Sequence, residues 1–225
     1  MGPLQFTTRV VPVNDAFLRS YDRDGNVLWT RQFGTTGNDT VRSVAIAKDG
    51  SIFVSGQTAG QLGDTSFGMT DAFVMRLDRD GTVLWLRQFG TSGADEAIGV
   101  TVTAHAVYVS GTTSGGFPGF ASAGDFDAFV ARLTLDGDIE WLTQFGAPMS
   151  DNAWKIGVAG RTVFVGGNTS GEFPGEISWG GFDAFVAALG RDGELRWVRQ
   201  FGSAGTDNAP GLAVDHEGAV AAGRC

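Results

Sequence analysis

One phrase is written four times in this chain, starting at Asp15, Asp71, Asp127 and Asp183, so each copy begins 56 residues after the last. The second copy, DAFVMRLDRDGTVLWLRQFG, occupies residues 71–90. A fixed period of this length marks a repeat architecture. One supersecondary unit cannot bury its apolar face alone, so neighbours stack on it and share a core. The chain reads as a single domain, 1–225, made of repeats 15–70, 71–126, 127–182 and 183–225, the last completed by 1–14.

Each period contains four strand-like runs. In the second they are 71–78, 82–89, 97–103 and 106–112, all short, rich in Val, Phe, Ile and Trp, and bounded by Gly or Asp. No window holds an apolar stripe of helical period over the length of a helix. The first two runs are joined by Asp-Gly, at Asp24-Gly25, Asp80-Gly81, Asp136-Gly137 and Asp192-Gly193. Glycine there supplies the positive φ of a tight hairpin. The last two runs are joined by another short turn, whereas the connections 90–96 and 113–126 are long. Four short antiparallel strands per period describe a β-propeller blade. A β-solenoid is the alternative, but its coils are shorter and lack two hairpins per period. The 35 glycines among 225 residues suit so many turns, and 42% hydrophobic residues suffice for a packed core.

The run GVTVTAHAVYVSGTTSGGFPG (99–119), followed by DAFVARLTLDGDIEWLTQFG (127–146), closely resembles the bacterial β-propeller repeat family called SBBP. More distantly it is similar to the NHL repeat. The resemblance implies an all-β propeller of four-stranded antiparallel blades in a secreted or cell-surface bacterial protein. It also implies that the strand SVAIA, GVTVT, IGVAG or GLAVD is innermost and VLWLRQFG outermost.

The period begins and ends inside a blade. Residues 15–22 and 26–33 form an outer pair without its inner pair, and 211–215 and 219–223 an inner pair without its outer pair. Pairing the two makes one composite blade and leaves no open edge. Closure within the chain as four blades is the working expectation. A homodimer completing a larger ring of eight, or a place in a longer array, are the other ways to complete it.

Composition excludes several partners. The net charge is −9, and no basic patch is visible that could displace phosphate counterions or hold an anionic membrane. No apolar run is long enough to span a bilayer, so membrane insertion is not expected. Residues 1–14 lack the charged and apolar regions of a signal peptide, so the chain is expected to be cytosolic or to lack its leader. The one cysteine, Cys225, can form no internal disulfide.

Alternation puts the Asp-Gly hairpins on one face and the long loops on the other, where binding residues are expected. An Asp recurs at the entry to the innermost strand: Asp39, Asp95, Asp151 and Asp207. A ring of these at a channel mouth would suit Ca²⁺, which takes several oxygen ligands. The plainer reading is that each caps its loop by accepting backbone N–H bonds. No other cofactor is expected. Trp29, Trp85, Trp141 and Trp197 recur on the outermost strand, each with a Gln three residues on, and read as packing residues. DGTVLW is also similar to the quinoprotein propellers, whose tryptophans dock one blade on the next.

Residues that break the repeat are better guides to a ligand. Trp154, beside Lys155, stands where the other copies have Arg42, Ile98 and Pro210, and Trp179 lies in the third long loop. Phe117 and Phe173 are expected to turn inward as loop anchors. His105 and His216 fall in short turns on the opposite face, and no nucleophile–base order or phosphate loop is present. The chain is therefore expected to be a non-catalytic scaffold or recognition module that binds a protein or glycan. The alternatives are a metal-assisted hydrolase or lyase acting at the channel mouth, and a quinoprotein-like propeller.

Overall fold

The computed structural model describes residues 14–224. Residues 1–13, which include most of the segment expected to complete the last repeat, and Cys225 lie outside the described residues. Among the described residues there are sixteen strands and no helix. They are β1 (Ala16–Tyr21), β2 (Val27–Phe33), β3 (Asp39–Ile46), β4 (Ile52–Thr58), β5 (Asp71–Leu77), β6 (Val83–Phe89), β7 (Asp95–Val102), β8 (Val107–Thr113), β9 (Asp127–Leu133), β10 (Ile139–Phe145), β11 (Asp151–Ala159), β12 (Thr162–Thr169), β13 (Asp183–Gly190), β14 (Leu195–Phe201), β15 (Asn208–Val214) and β16 (Ala219–Arg224).

Three sheets have four antiparallel strands in chain order: β3 to β6, β7 to β10, and β11 to β14. The two middle strands of each are almost entirely buried, as in IFVSGQT of β4 and VYVSGTT of β8. Their apolar residues are continuous because both faces of the sheet are covered. The outer strands β6 and β10 are exposed or half-buried along most of their length and buried only at the Gln-Phe that ends them. The first strands of successive sheets, β3, β7, β11 and β15, pack against one another. These are the strands expected to be innermost. They begin three to five residues earlier than the runs SVAIA, GVTVT, IGVAG and GLAVD, and Asp39, Asp95 and Asp151 already take part in the pairing.

Between sheets the cores are aromatic and aliphatic. Phe89, Phe117 and Phe129 fill one, and Phe145, Phe173 and Phe185 the next. Phe117 and Phe173 do turn inward, at 5% and 3% exposure. Each innermost strand carries a β-bulge, between Val41 and Ser43, Ala97 and Gly99, and Ala153 and Lys155. The bulge drives a carbonyl towards the second strand, where only glycine fits: a Cβ on Gly111 would lie 1.9 Å from the Glu96 oxygen.

The expected composite blade is not formed within the chain. β1–β2 and β15–β16 are separate two-stranded sheets. Among the described residues the inner edge of β1 and the outer edge of β16 have no strand partner, and Phe17 is 68% exposed where its counterpart Phe73 is fully buried.

Candidate functional site

The connections β4–β5 and β6–β7 lie at the same end of their sheet. The bridges Thr70–Ala94 and Phe126–Ser150 tie such loops together in the second and third repeats. The Asp-Gly hairpins and the turns holding His105 and His216 lie at the other end, as strand alternation requires.

Two carboxylates meet behind each Gln-Phe-Gly segment. A Cβ on Gly90 would lie 2.7 Å from an oxygen of both Asp71 and Asp95, and Gly34, Gly146 and Gly202 have the same surroundings. Asp95 is 1% exposed; it accepts the Thr91 N–H at 2.6 Å and the Thr91 hydroxyl at 3.1 Å. Asp39 and Asp207 are bonded alike by Thr35 and Ser203. Asp39, Asp95, Asp151 and Asp207 sit one per blade behind their loops, each accepting a backbone N–H, as the capping reading has it. Among the described residues no three His, Cys, Asp or Glu side chains are grouped to hold a metal ion.

Sequence reading missed the second set of aspartates. Asp71, Asp127 and Asp183 accept N–H bonds from Phe67, Ala123 and Trp179 at 2.9, 2.9 and 2.8 Å, which folds the long loop back on its strand. The repeated glutamine completes the tie. Gln88 Nε2 donates to Asp71 at 2.6 Å while its Oε1 accepts the Leu62 N–H at 2.8 Å; Gln144 and Gln200 repeat both contacts. The signal was the shared phase of Asp71 and Gln88, 17 residues apart in every copy and opposed across a strand pair.

Asp151 departs from its counterparts for a visible reason. Ala147 stands where they have Thr35, Thr91 and Ser203, so the 2.8 Å bond from the Ala147 N–H comes without a hydroxyl. Burial raises the carboxyl from 3.8 to about 7; the Thr169 hydroxyl and the Ala147 N–H oppose this, and the Asp127 charge adds to it. Asp95, which keeps its threonine, is also raised by burial, opposed by the Thr113 and Thr91 bonds. Folded Asp151 holds a proton that the unfolded chain has released, so its contribution to stability falls as pH rises from 3.8 to about 7. Of this shift of about three units, the roughly two that lie above about pH 5 are worth on the order of 3 kcal/mol at about 1.36 kcal/mol per unit. The stability of the native chain minus that of Asp151→Asn, from urea melts, is expected to drop by this order between about pH 5 and about pH 8. A difference that stays level or rises speaks against a buried acid here.

The tryptophan column is structural. Trp29, Trp85 and Trp141 donate indole N–H bonds to the carbonyls of Arg79, Leu135 and Arg191 at 3.0, 2.9 and 2.8 Å, each in the hairpin of the next blade. The rings lie on Gly81, Gly137 and Gly193, whose positive φ leaves no Cβ in the way. Trp197 has no such hairpin beside it and is 38% exposed.

The repeat-breaking residues fall on two elements. Trp154 is the bulged residue of β11, half-buried and next to the exposed Lys155. Arg42 and Ile98 are the bulged residues of their own strands, which explains why this position varies: a bulge re-aims one side chain without disturbing the ladder. Trp179 lies apart from it in the β12–β13 loop and is 55% exposed. Phe67, Met69, Phe120, Met149 and Ile177 are also exposed on these loops. Along the innermost strands runs a polar line. Arg42 pairs with Glu96, and Asn152 donates to Asn168, which donates to Asn208 at 3.1 and 2.8 Å.

Residues 28–64 match the SBBP family, described as a beta-propeller repeat. They run from β2 to the loop after β4. The chain is also 31% identical over 176 residues to the regulatory protein FlaEY of Caulobacter vibrioides, a match covering 71% of this chain and 18% of that protein. It therefore spans less than a fifth of that relative's length. Among solved structures, a protein of unknown function from Bacteroides caccae has a TM-score of 0.48 at 13% identity, covering 84% of this chain and 58% of that one. A subtype N10 neuraminidase-like protein of A/little yellow-shouldered bat/Guatemala/060/2010 has a TM-score of 0.47 at 13% identity, covering 87% and 64%. Taken with the four-stranded antiparallel sheets and the 56-residue period, the family match identifies a repeat protein that carries the SBBP β-propeller repeat.

Proposed function

We propose that the chain is a non-catalytic propeller module that recognises a protein or a glycan on its long-loop face, in a secreted or cell-surface setting. The observation that carries this is a division of labour among residues. The repeated polar side chains Asp71, Asp95 and Gln88 are spent internally, holding the loops. Among the residues left exposed on those loops are large apolar ones that differ from repeat to repeat, Trp179 at 55% and Met69 at 74%. Exposed apolar side chains on rigidly held loops suit recognition. Trp154 and Lys155 add an aromatic plate and an ammonium at the innermost strand. The word "regulatory" in the name of the Caulobacter relative fits a binding role. In this reading the two terminal strand pairs belong to one blade of a ring.

A glycan array together with a pull-down identifies the ligand. Trp154→Ala/Trp179→Ala is then expected to weaken its binding at least tenfold, about 1.4 kcal/mol, with circular dichroism unchanged. Full affinity in a folded double variant would move the search to the hairpin face. There, a cleft of about 460 Å³ lies against Arg76, Lys48 and Leu135.

A further inference from the structure

The cleft of about 460 Å³ at the hairpin end lies between two complete sheets, β3 to β6 and β7 to β10. Its size is that of an ordinary small-molecule site. Ile46, Phe53, Val102 and Leu135 give it an apolar lining, and Arg76 and Lys48 give it cations.

The cleft arises where the repeat is broken. The turn between the two innermost strands spans 47–51 in the first of these sheets, 103–106 in the second and only 160–161 in the third. The two longer turns both line the cleft, with Lys48 and Asp49 from one and Thr103 and Ala104 from the other.

Arg76 differs from its repeat equivalent. It stands directly across its strand pair from Phe53, as Arg132 stands across from Tyr108. Arg132 is ion-paired to Glu140, and its Nε donates to the Tyr108 hydroxyl at 3.1 Å. Around Arg76 both partners are lost. Phe53 has no hydroxyl, Leu84 stands in place of the glutamate, and the Arg76 Nε is buried with no acceptor. Its Nη1 donates to the Leu135 carbonyl at 3.0 Å and its Nη2 to the Ser51 hydroxyl at 2.9 Å, both neutral acceptors. Asp49 reaches it only at 3.5 Å, is 61% exposed, and already accepts the Ser51 N–H and hydroxyl.

These contacts leave part of the guanidinium fork unused. The side chain is only 18% exposed, so an anion brought beside it would be weakly screened. Lys48 adds an exposed ammonium. Two cations against the one Asp49 carboxylate make the cleft net positive, on a chain of net charge −9.

We infer that this cleft binds a small organic acid, with its carboxylate against Arg76 and Lys48 and its apolar body against Ile46, Val102 and Leu135. A carboxylate matches the planar guanidinium fork. The site is separate from the long-loop face and bridges two blades, where Arg76 and Trp85 already share the Leu135 carbonyl.

The test is calorimetric titration with hydrocinnamate and with its uncharged amide. Saturable binding of the acid is expected, with the amide at least about tenfold weaker. Lys48→Met and Ala104→Trp both change exposed turn residues, so circular dichroism should stay the same. The first is expected to weaken the acid severalfold, and the second to fill the cleft and abolish binding. Trp154→Ala/Trp179→Ala is expected to leave the affinity intact, which keeps this site distinct from recognition on the long loops. Equal affinity for acid and amide would overturn the role of the cations. Full affinity in folded Ala104→Trp, or a loss in the double tryptophan variant, would overturn the placement. No saturation by about 10 mM acid would overturn the site itself.

Discussion

Gly111→Ala is expected to cost at least about 3 kcal/mol, the upper end for overpacking a filled core. The reason is geometric. The β7 bulge between Ala97 and Gly99 pushes the Glu96 carbonyl into β8, and an alanine Cβ would lie 1.9 Å from that oxygen and 2.7 Å from the Phe129 ring. Neither neighbour can yield. The oxygen belongs to a paired backbone, and Phe129 is fully buried against Phe89 and Phe117. Gly56 and Gly167 face the Thr40 and Asn152 oxygens at 1.9 and 1.7 Å, so Gly167→Ala should behave alike. Urea denaturation followed by tryptophan fluorescence measures the loss. A cost below about 1 kcal/mol would mean that the bulge relaxes and the two strands can part.

Trp85→Ala is expected to lose about 3–5 kcal/mol, the range for truncating a large packed aromatic. The indole bridges two blades. Its N–H reaches the Leu135 carbonyl at 2.9 Å, its ring covers Gly137, and its edge meets Phe53 at 6.0 Å between centroids. Removing it leaves the carbonyl unpaired and a void at the joint. Trp85→Phe should recover the packing but not the bond, and so fall between the two. Trp197→Ala provides the internal control. In an isolated chain that residue is 38% exposed and lacks the hairpin contact, so its loss should be small. Equal, small effects at both positions would mean that the column does not hold the blades together.

Much of the fold was legible in the residue pattern. Asp-Gly at Asp80-Gly81, the apolar runs around it and the fixed period were enough for four antiparallel strands per repeat, because local turn chemistry and alternation act within one blade. The packing role of Trp85 was legible for the same reason: it recurs at one phase of every repeat. The inward turn of Phe117 and Phe173 followed from their apolar character in a tight turn.

The aspartates at the strand entries were legible only as two readings, a loop cap or a channel ring. Asp95 in the sequence is only an acid before a strand, and whether it rings a channel or caps a loop depends on which donors face it. Folding supplies the Thr91 N–H and hydroxyl, and buries the group beside Asp71. The raised carboxyl of Asp151 traces to its burial, which only the folded chain imposes; Ala147, four residues away, gives it an N–H but no hydroxyl. Trp154 announced itself by breaking the repeat, but its place on a bulge required the pairing of β11 with β12. Closure was beyond the sequence altogether. The period makes β16 and β1 the repeat equivalents of strands that pair three times within the chain. Whether those edges meet depends on the angle that each joint adds, and that angle is decided by how Phe89 packs on Phe129 and Trp85 on Gly137, contacts that exist only once the blades have stacked.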